Sequence, residues 1–193
     1  SVNLSDQTAT YEQDGDDKTD TLLGFSNIVG SSHDDSLLGN ANANEIWGGK
    51  GDDTIDGVAG DDTLHGGDGT DTLSFASSEV GVSASLAASQ TDIDENNRSI
   101  TVDGFENITG SMYDDVLTGD DGANVIHGGM GADTLNGGGG NDTLYNDGFG
   151  EGLLGGDGND TFVLTYDGDC DETLFIYGQA GTNTLDFSHE QNM

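Results

Sequence analysis

Gly48-Gly49-Lys50-Gly51-Asp52-Asp53-Thr54-Ile55-Asp56 reads Gly-Gly-x-Gly-x-Asp-x-aliphatic-x, and the same nine-residue frame recurs on both sides of it. Backwards lie Gly39–Trp47 and Gly30–Leu38, and forwards lie Gly57–His65 and Gly66–Ser74. The frame resumes at Gly110 and runs through Gly119, Gly128 and Gly137. A worn copy follows from Asn146, then a clean one at Gly155–Val163 and a last opening at Gly178. A fixed period is the signature of a repeat architecture and outranks local propensity.

Composition sharpens the meaning of the frame. The 193 residues include 33 Gly, no Pro, 38 acidic and 3 basic side chains, for a formal charge of -35. Hydrophobic residues make up 32%, below the ~45–50% of ordinary globular domains. Taken alone, that balance reads as disorder, because little apolar surface opposes chain entropy and self-repulsion. The acids are phased rather than scattered, however, so disorder is expected only of the metal-free chain. Nucleic acid and anionic lipid are poor partners for such a surface, and no apolar run is long enough to insert in a membrane. Cations are its natural partners. The single Cys170 excludes an internal disulfide framework and reads as an incidental surface thiol.

The frame divides the chain into five stretches. Residues 1–29 hold an alternating scrap (Val2-Asn3-Leu4), a polar loop from Ser5 to Asp20 and an apolar stretch from Leu22, and read as the end of a preceding module. Residues 30–74 are the first block of nonapeptides. Residues 75–109 break the phase but read as a β connector continuing the solenoid: Gly81–Leu86 alternates as a strand, a polar loop spans Ala87 to Arg98, and Ile100–Thr109 reads as one or two strands. Residues 110–163 are the second block, and 164–193 a connector and the start of a further module. Gly24–Ser31 matches Gly104–Ser111 at an offset of 80 residues, which suggests a larger unit built to continue into a longer array.

Within each copy, positions 1–6 form a glycine-rich turn and 7–9 a short strand. Side chains alternate along a strand, so position 8 alone faces inward. Leu37, Ile46, Ile55, Leu64, Leu73, Leu117, Ile126, Leu135, Leu144, Leu153 and Phe162 fall there, as an apolar ladder. A three-residue strand cannot close a core, so successive copies must form two opposed walls. The fold expected is all-β, a right-handed parallel β-roll or β-helix solenoid. Copies two apart then stack, which puts Asp35 over Asp53 over Asp71, Asn44 over Asp62, Asp115 over Asp133, and Asn124 over Asp142 over Asp160.

Carboxylates stacked about 4.8 Å apart repel unless a cation separates them. An oxygen-only set of Asp side chains and turn carbonyls suits a hard divalent ion taking about 6–8 ligands, and calcium over magnesium, which dehydrates reluctantly. The candidate carbonyl donors are the turn glycines Gly49, Gly51, Gly67, Gly69, Gly129, Gly131, Gly138, Gly140, Gly156 and Gly158. Same-side pairs give about seven ions. Asn44 and Asn124 lower the charge at their positions, and Phe149 and Glu151 weaken the worn copy.

These nonapeptides resemble the RTX (repeats-in-toxin) family of calcium-binding parallel β-rolls, specifically over 30–74 and 110–163. The resemblance implies that position-6 carboxylates bridge adjacent turns, with backbone carbonyls of the glycine-rich turn completing the shell. It also implies type I secretion and folding outside the cell.

No catalytic set is visible. His33, His65, His127 and His189 stand far apart with no His-Glu-x-x-His helix, and read as surface residues; Trp47 reads as an exposed aromatic. The expected function is therefore a non-enzymatic, calcium-dependent structural or adhesive module of a secreted or surface-attached bacterial protein. The alternative is an accessory module of a type I-secreted protease, lipase or alginate epimerase. Head-to-tail self-association and contact with neighbouring modules of the same chain are further expectations.

Overall fold

Seven copies of the nonapeptide place a β-branched threonine at position 7, beside the apolar residue at 8: Thr54, Thr63, Thr72, Thr134, Thr143, Thr161 and Thr184. Such residues favour the extended backbone, and the glycines before them end each strand in a turn. The computed structural model describes residues 1–13, 16–87, 90–92, 99–148, 150, 152–164 and 174–187. Among them every regular element is a strand, and no helix is long and apolar enough to cross a membrane.

The strands lie in three sheets that make the opposed walls of a parallel β-roll. An 11-stranded sheet forms one face. From the C-terminal end its order is Thr184–Asp186, Thr161–Leu164, Thr143–Asn146, Val125–His127, Asn107–Thr109, Thr72–Ser74, Thr54–Val58, Ser36–Asn40 and Val2–Asn3, followed by Thr8–Gln13 and Asp16–Thr21. Two 5-stranded sheets form the other face. One holds Asn27–Val29, Glu45–Lys50, Thr63–Asp68, Ser99–Asp103 and Gln90–Asp92; the second holds Ser83–Ser85, Val116–Thr118, Thr134–Gly139, Gly152–Asp157 and Phe175–Tyr177. Within the blocks all pairing is parallel and joins copies two apart. Leu37 lies beside Ile55, Ile55 beside Leu73, Ile46 beside Leu64, and Leu117 beside Leu135.

That register puts the whole position-8 ladder inside, each of its members no more than 1% exposed. The connector joins the same core through Phe75, Val82, Ala84, Ile100, Val102, Phe105 and Ile108. Ile108 pairs with Leu73 on one side and Ile126 on the other, so the apolar column passes from one block into the next without a gap. Truncating one such side chain to alanine costs about 2–5 kcal/mol in a core that cannot collapse around the loss.

Both stretches read from sequence as polar loops contain strands. Thr8–Gln13 and Asp16–Thr21 pair antiparallel and lie at the edge of the long sheet. Gln90–Asp92 pairs antiparallel with Ser99–Asp103 at the edge of a short one. Their main-chain groups continue the ladder where no nonapeptide does. The sequence offers no apolar alternation there, so composition pointed to loops.

Candidate metal centre

The position-6 side chain follows the glycine-rich turn and points into the roll. Asp53, Asp62, Asp71, Asp115, Asp133, Asp142 and Asp160, with the amides Asn44 and Asn124, are all buried; Asp35, nearest the first turn, is half-buried. The stacking expected from the frame is present, and backbone hydrogen bonds hold it together. Oδ1 of Asp53 accepts the Asp35 N–H at 2.8 Å, and Oδ1 of Asp71 accepts the Asp53 N–H at 2.8 Å. Asp62 does the same for Asn44 (2.8 Å), Asp133 for Asp115 (2.8 Å), Asp142 for Asn124 (2.9 Å) and Asp160 for Asp142 (3.1 Å). The carboxylates therefore do not face one another across an open slot. One oxygen of each is committed to fixing the preceding coil.

The second oxygen behaves differently. Oδ2 of Asp53, Asp71, Asp133, Asp142 and Asp160 is shut off from solvent and accepts no hydrogen bond. A buried carboxylate oxygen without a donor is costly, because it has given up hydration and gained nothing. Burial, opposed by the backbone N–H on the other oxygen, raises the carboxyls of Asp53 and Asp71 above the usual range, and takes Asp142 to about 6 and Asp133 to about 7.

Carbonyl oxygens lie beside these atoms. A Cβ added to Gly48 would collide with Asp53 Oδ2 and with the Gly66 carbonyl of the next coil; one on Gly137 would meet Asp142 Oδ2 and the Gly155 carbonyl. Gly155 is likewise flanked by Asp160 Oδ2 and the Gly178 carbonyl, and Gly66 by Asp71 Oδ2 and the Gly104 carbonyl. Position 1 is thus pinned between its own carboxylate and the neighbouring coil. The sequence reading named the glycines at positions 2 and 4 and missed those at position 1. The available signal was strictness: position 1 is Gly in every clean copy, whereas position 2 also admits Ser31, Asn40, Val58, Ser111 and Asp120.

The named glycines also set the spacing of the coils. Gly49, Gly67, Gly129, Gly138 and Gly156, with Gly51, Gly131, Gly140 and Gly158, have left-handed φ values, and Gly69 does not. At Gly67, Gly69, Gly138, Gly140 and Gly156 a side chain would strike the carbonyl of the preceding coil.

Two further residues complete the series, Glu106 in the connector and Asn183 at position 6 of the last copy. Glu106 takes the position-6 role in the connector: its Oε2 accepts the Asp71 N–H at 2.7 Å, while its carbonyl accepts the Asn124 amide at 2.7 Å. In the last turn Asn183 Oδ1 accepts the Asp160 N–H at 2.8 Å, and its Nδ2 donates to the carbonyls of Gly178 (2.7 Å) and Ala180 (3.3 Å). There a partly positive NH₂ group lies against the turn carbonyls. At Asp53, Asp71, Asp133, Asp142 and Asp160 an oxygen without a donor takes its place. Among the described residues no three His, Cys, Asp or Glu side chains gather around one point. A cation here would draw on main-chain carbonyls as much as on carboxylates, and an all-oxygen set fits calcium.

The remaining candidates are structural. Trp47 is half-buried rather than exposed and stacks on His65 with centroids 5.3 Å apart; His65 Nδ1 lies 2.6 Å from Asp103. His127 stacks on Tyr145 at 3.9 Å and lies 2.8 Å from Asp147. Phe149, Glu151, Cys170 and His189 fall outside the described residues.

Opposed parallel walls, an inward carboxylate in nearly every turn and unpartnered oxygens beside carbonyls make a parallel β-roll whose turns suit a cation. A model of the RTX calcium-binding nonapeptide repeat, four copies long, matches residues 29–64, 51–77 and 109–144. These segments are RTX repeats, and the chain carries a calcium-binding repeat module of a kind that is not itself catalytic. No curated protein matches the chain.

Proposed function

We propose that this chain is a calcium-dependent structural module of a protein that works outside the cell, unfolded without the ion and folded into a rigid roll with it. The observation that carries the reading is the row of buried Oδ2 atoms at Asp53, Asp71, Asp133, Asp142 and Asp160, each without a donor. Asp62 shares their register. Calcium supplies there the positive charge that the protein's own donors do not. The carboxylates and the position-1 carbonyls hold the ion, and the backbone bonds on Oδ1 orient them.

Linkage then ties folding to place. Extracellular calcium modules bind in the ~10⁻⁴–10⁻³ M range, far above cytosolic levels, and binding energy becomes folding energy when the site exists only in the fold. A chain of formal charge -35 stays extended where calcium is scarce, a form suited to type I export, and closes on release. A roll of this kind serves as a rigid spacer or adhesive segment. Calcium titration of the metal-free chain, followed by far-ultraviolet circular dichroism, should give a cooperative gain of β signal in the millimolar range. An unchanged spectrum at 10-fold higher calcium rejects the proposal.

A further inference from the structure

We propose that the backbone conformation at position 2 of each nonapeptide decides whether its turn takes a cation, and that the first two turns of both blocks close without one. The inference rests on the calcium reading above and concerns which turns share in it.

The turns fall into two sets. Where position 2 is Gly49, Gly67, Gly129, Gly138 or Gly156, its φ lies between 93° and 122°, and Oδ2 of Asp53, Asp71, Asp133, Asp142 or Asp160 is left without a donor. Where position 2 is Ser31, Asn40, Ser111 or Asp120, φ is not left-handed. The position-2 N–H then points at the position-6 side chain. It donates to Asp35 Oδ2 at 2.6 Å, Asn44 Oδ1 at 2.7 Å, Asp115 Oδ2 at 2.6 Å and Asn124 Oδ1 at 2.9 Å.

The closed turns add further donors. Ser111 Oγ lies 2.9 and 3.1 Å from the two oxygens of Asp115, and the Val82 N–H reaches Asp115 Oδ1 at 2.7 Å. The amides of Asn44 and Asn124 donate in turn to the carbonyls of Ser26 (2.6 Å) and Glu106 (2.7 Å). Hydrogen-bond donors thus do at these turns what a cation would do elsewhere.

Val58 supports the rule from the other side. It occupies position 2 of the turn opened by Gly57, and a β-branched residue strongly disfavours positive φ. Yet Val58 has φ of 72°, and its N–H donates to Asp56 Oδ1 at 2.8 Å. The left-handed conformation is kept even where the side chain opposes it.

The closed turns stand at 30–35 and 39–44, and again at 110–115 and 119–124. Each block therefore begins with one full coil that needs no metal, and whose carbonyl edge offers a template to the first cation-holding coil.

Native mass spectrometry of the whole chain at saturating calcium tests this, with circular dichroism to verify the fold. Asp35→Asn and Asp115→Asn should keep the wild-type ion number, whereas Asp53→Asn and Asp142→Asn should each lose at least one ion. Ser111→Gly should add one ion, and adding Asp115→Asn to it should remove that ion again. Loss of an ion in either Asp35→Asn or Asp115→Asn overturns the proposal, as does an unchanged count in Ser111→Gly. If Asp53→Asn or Asp142→Asn does not fold, the Ser111→Gly pair decides, since it leaves every cation-holding coil intact. A wild-type chain that binds no calcium rejects the calcium reading itself; a calcium-binding wild type with the wrong variant counts rejects only the position-2 rule.

Discussion

Asp133 gathers the conflict of this fold into one side chain. One oxygen is needed to fix the Asp115 N–H, and the other is buried with nothing to meet it. Its carboxyl is pushed up to about 7, and that of Asp142 to about 6, chiefly by burial. A folded-state value raised above the ordinary carboxylate range means that the fold holds protons more tightly than the unfolded chain does. Without metal, the roll is thus most favoured below about pH 4, where both states are protonated, and is progressively penalised as pH rises through 7. Metal-free protein should gain β structure on acidification from pH 8 to pH 4.5, as measured by circular dichroism. With calcium the direction reverses, because protons compete for the same oxygens, and the calcium midpoint should rise as pH falls.

Among the elements, the strand half of the repeat was legible and the turn half only partly so. Period and alternation put Ile55 and Leu135 in the core without any structure, because an inward residue in every copy leaves a two-walled roll as the way to bury them. The turn was harder, since composition marks a glycine without saying what it touches. Gly48 was passed over although Asp53 Oδ2 and the Gly66 carbonyl leave no room for a methyl group there. Gly48→Ala should destabilise the calcium-bound roll by about 2 kcal/mol or more. Gly152→Ala should be near neutral, because the nearest atom to its added Cβ is Thr134 Oγ1 at 3.9 Å. Chemical denaturation at fixed calcium distinguishes the two. Ile126→Ala, which opens the ladder mid-column, should cost about 2–5 kcal/mol by the same measurement.

At the scale of the whole molecule, the connector is where sequence reading fell shortest. Residues 75–109 read as a connector that continues the solenoid, but the side chain that carries the stack through it was not found: the long sheet crosses it, and Glu106 replaces the missing aspartate in the stack 18 residues before Asn124. Counting back by one coil from Asn124 would have found it; the nonapeptide frame could not, because the connector lengthens the step from Asp71 to 35 residues. Glu106→Ala removes the acceptor for the Asp71 N–H at the junction of the blocks. Calcium-induced folding should then split from one transition into two, resolved by tryptophan fluorescence, which reports the first block through Trp47, against circular dichroism, which reports both.

The unequal faces also have a mechanical meaning. Hydrogen bonds between coils run along the length of the roll, continuous over 11 strands on one face and divided into two runs of 5 on the other. The unbroken face is a spine, and the divided one carries a seam at the connector. A rod made this way resists bending unequally, yielding about the seam before the spine, so the roll has a preferred direction of lean.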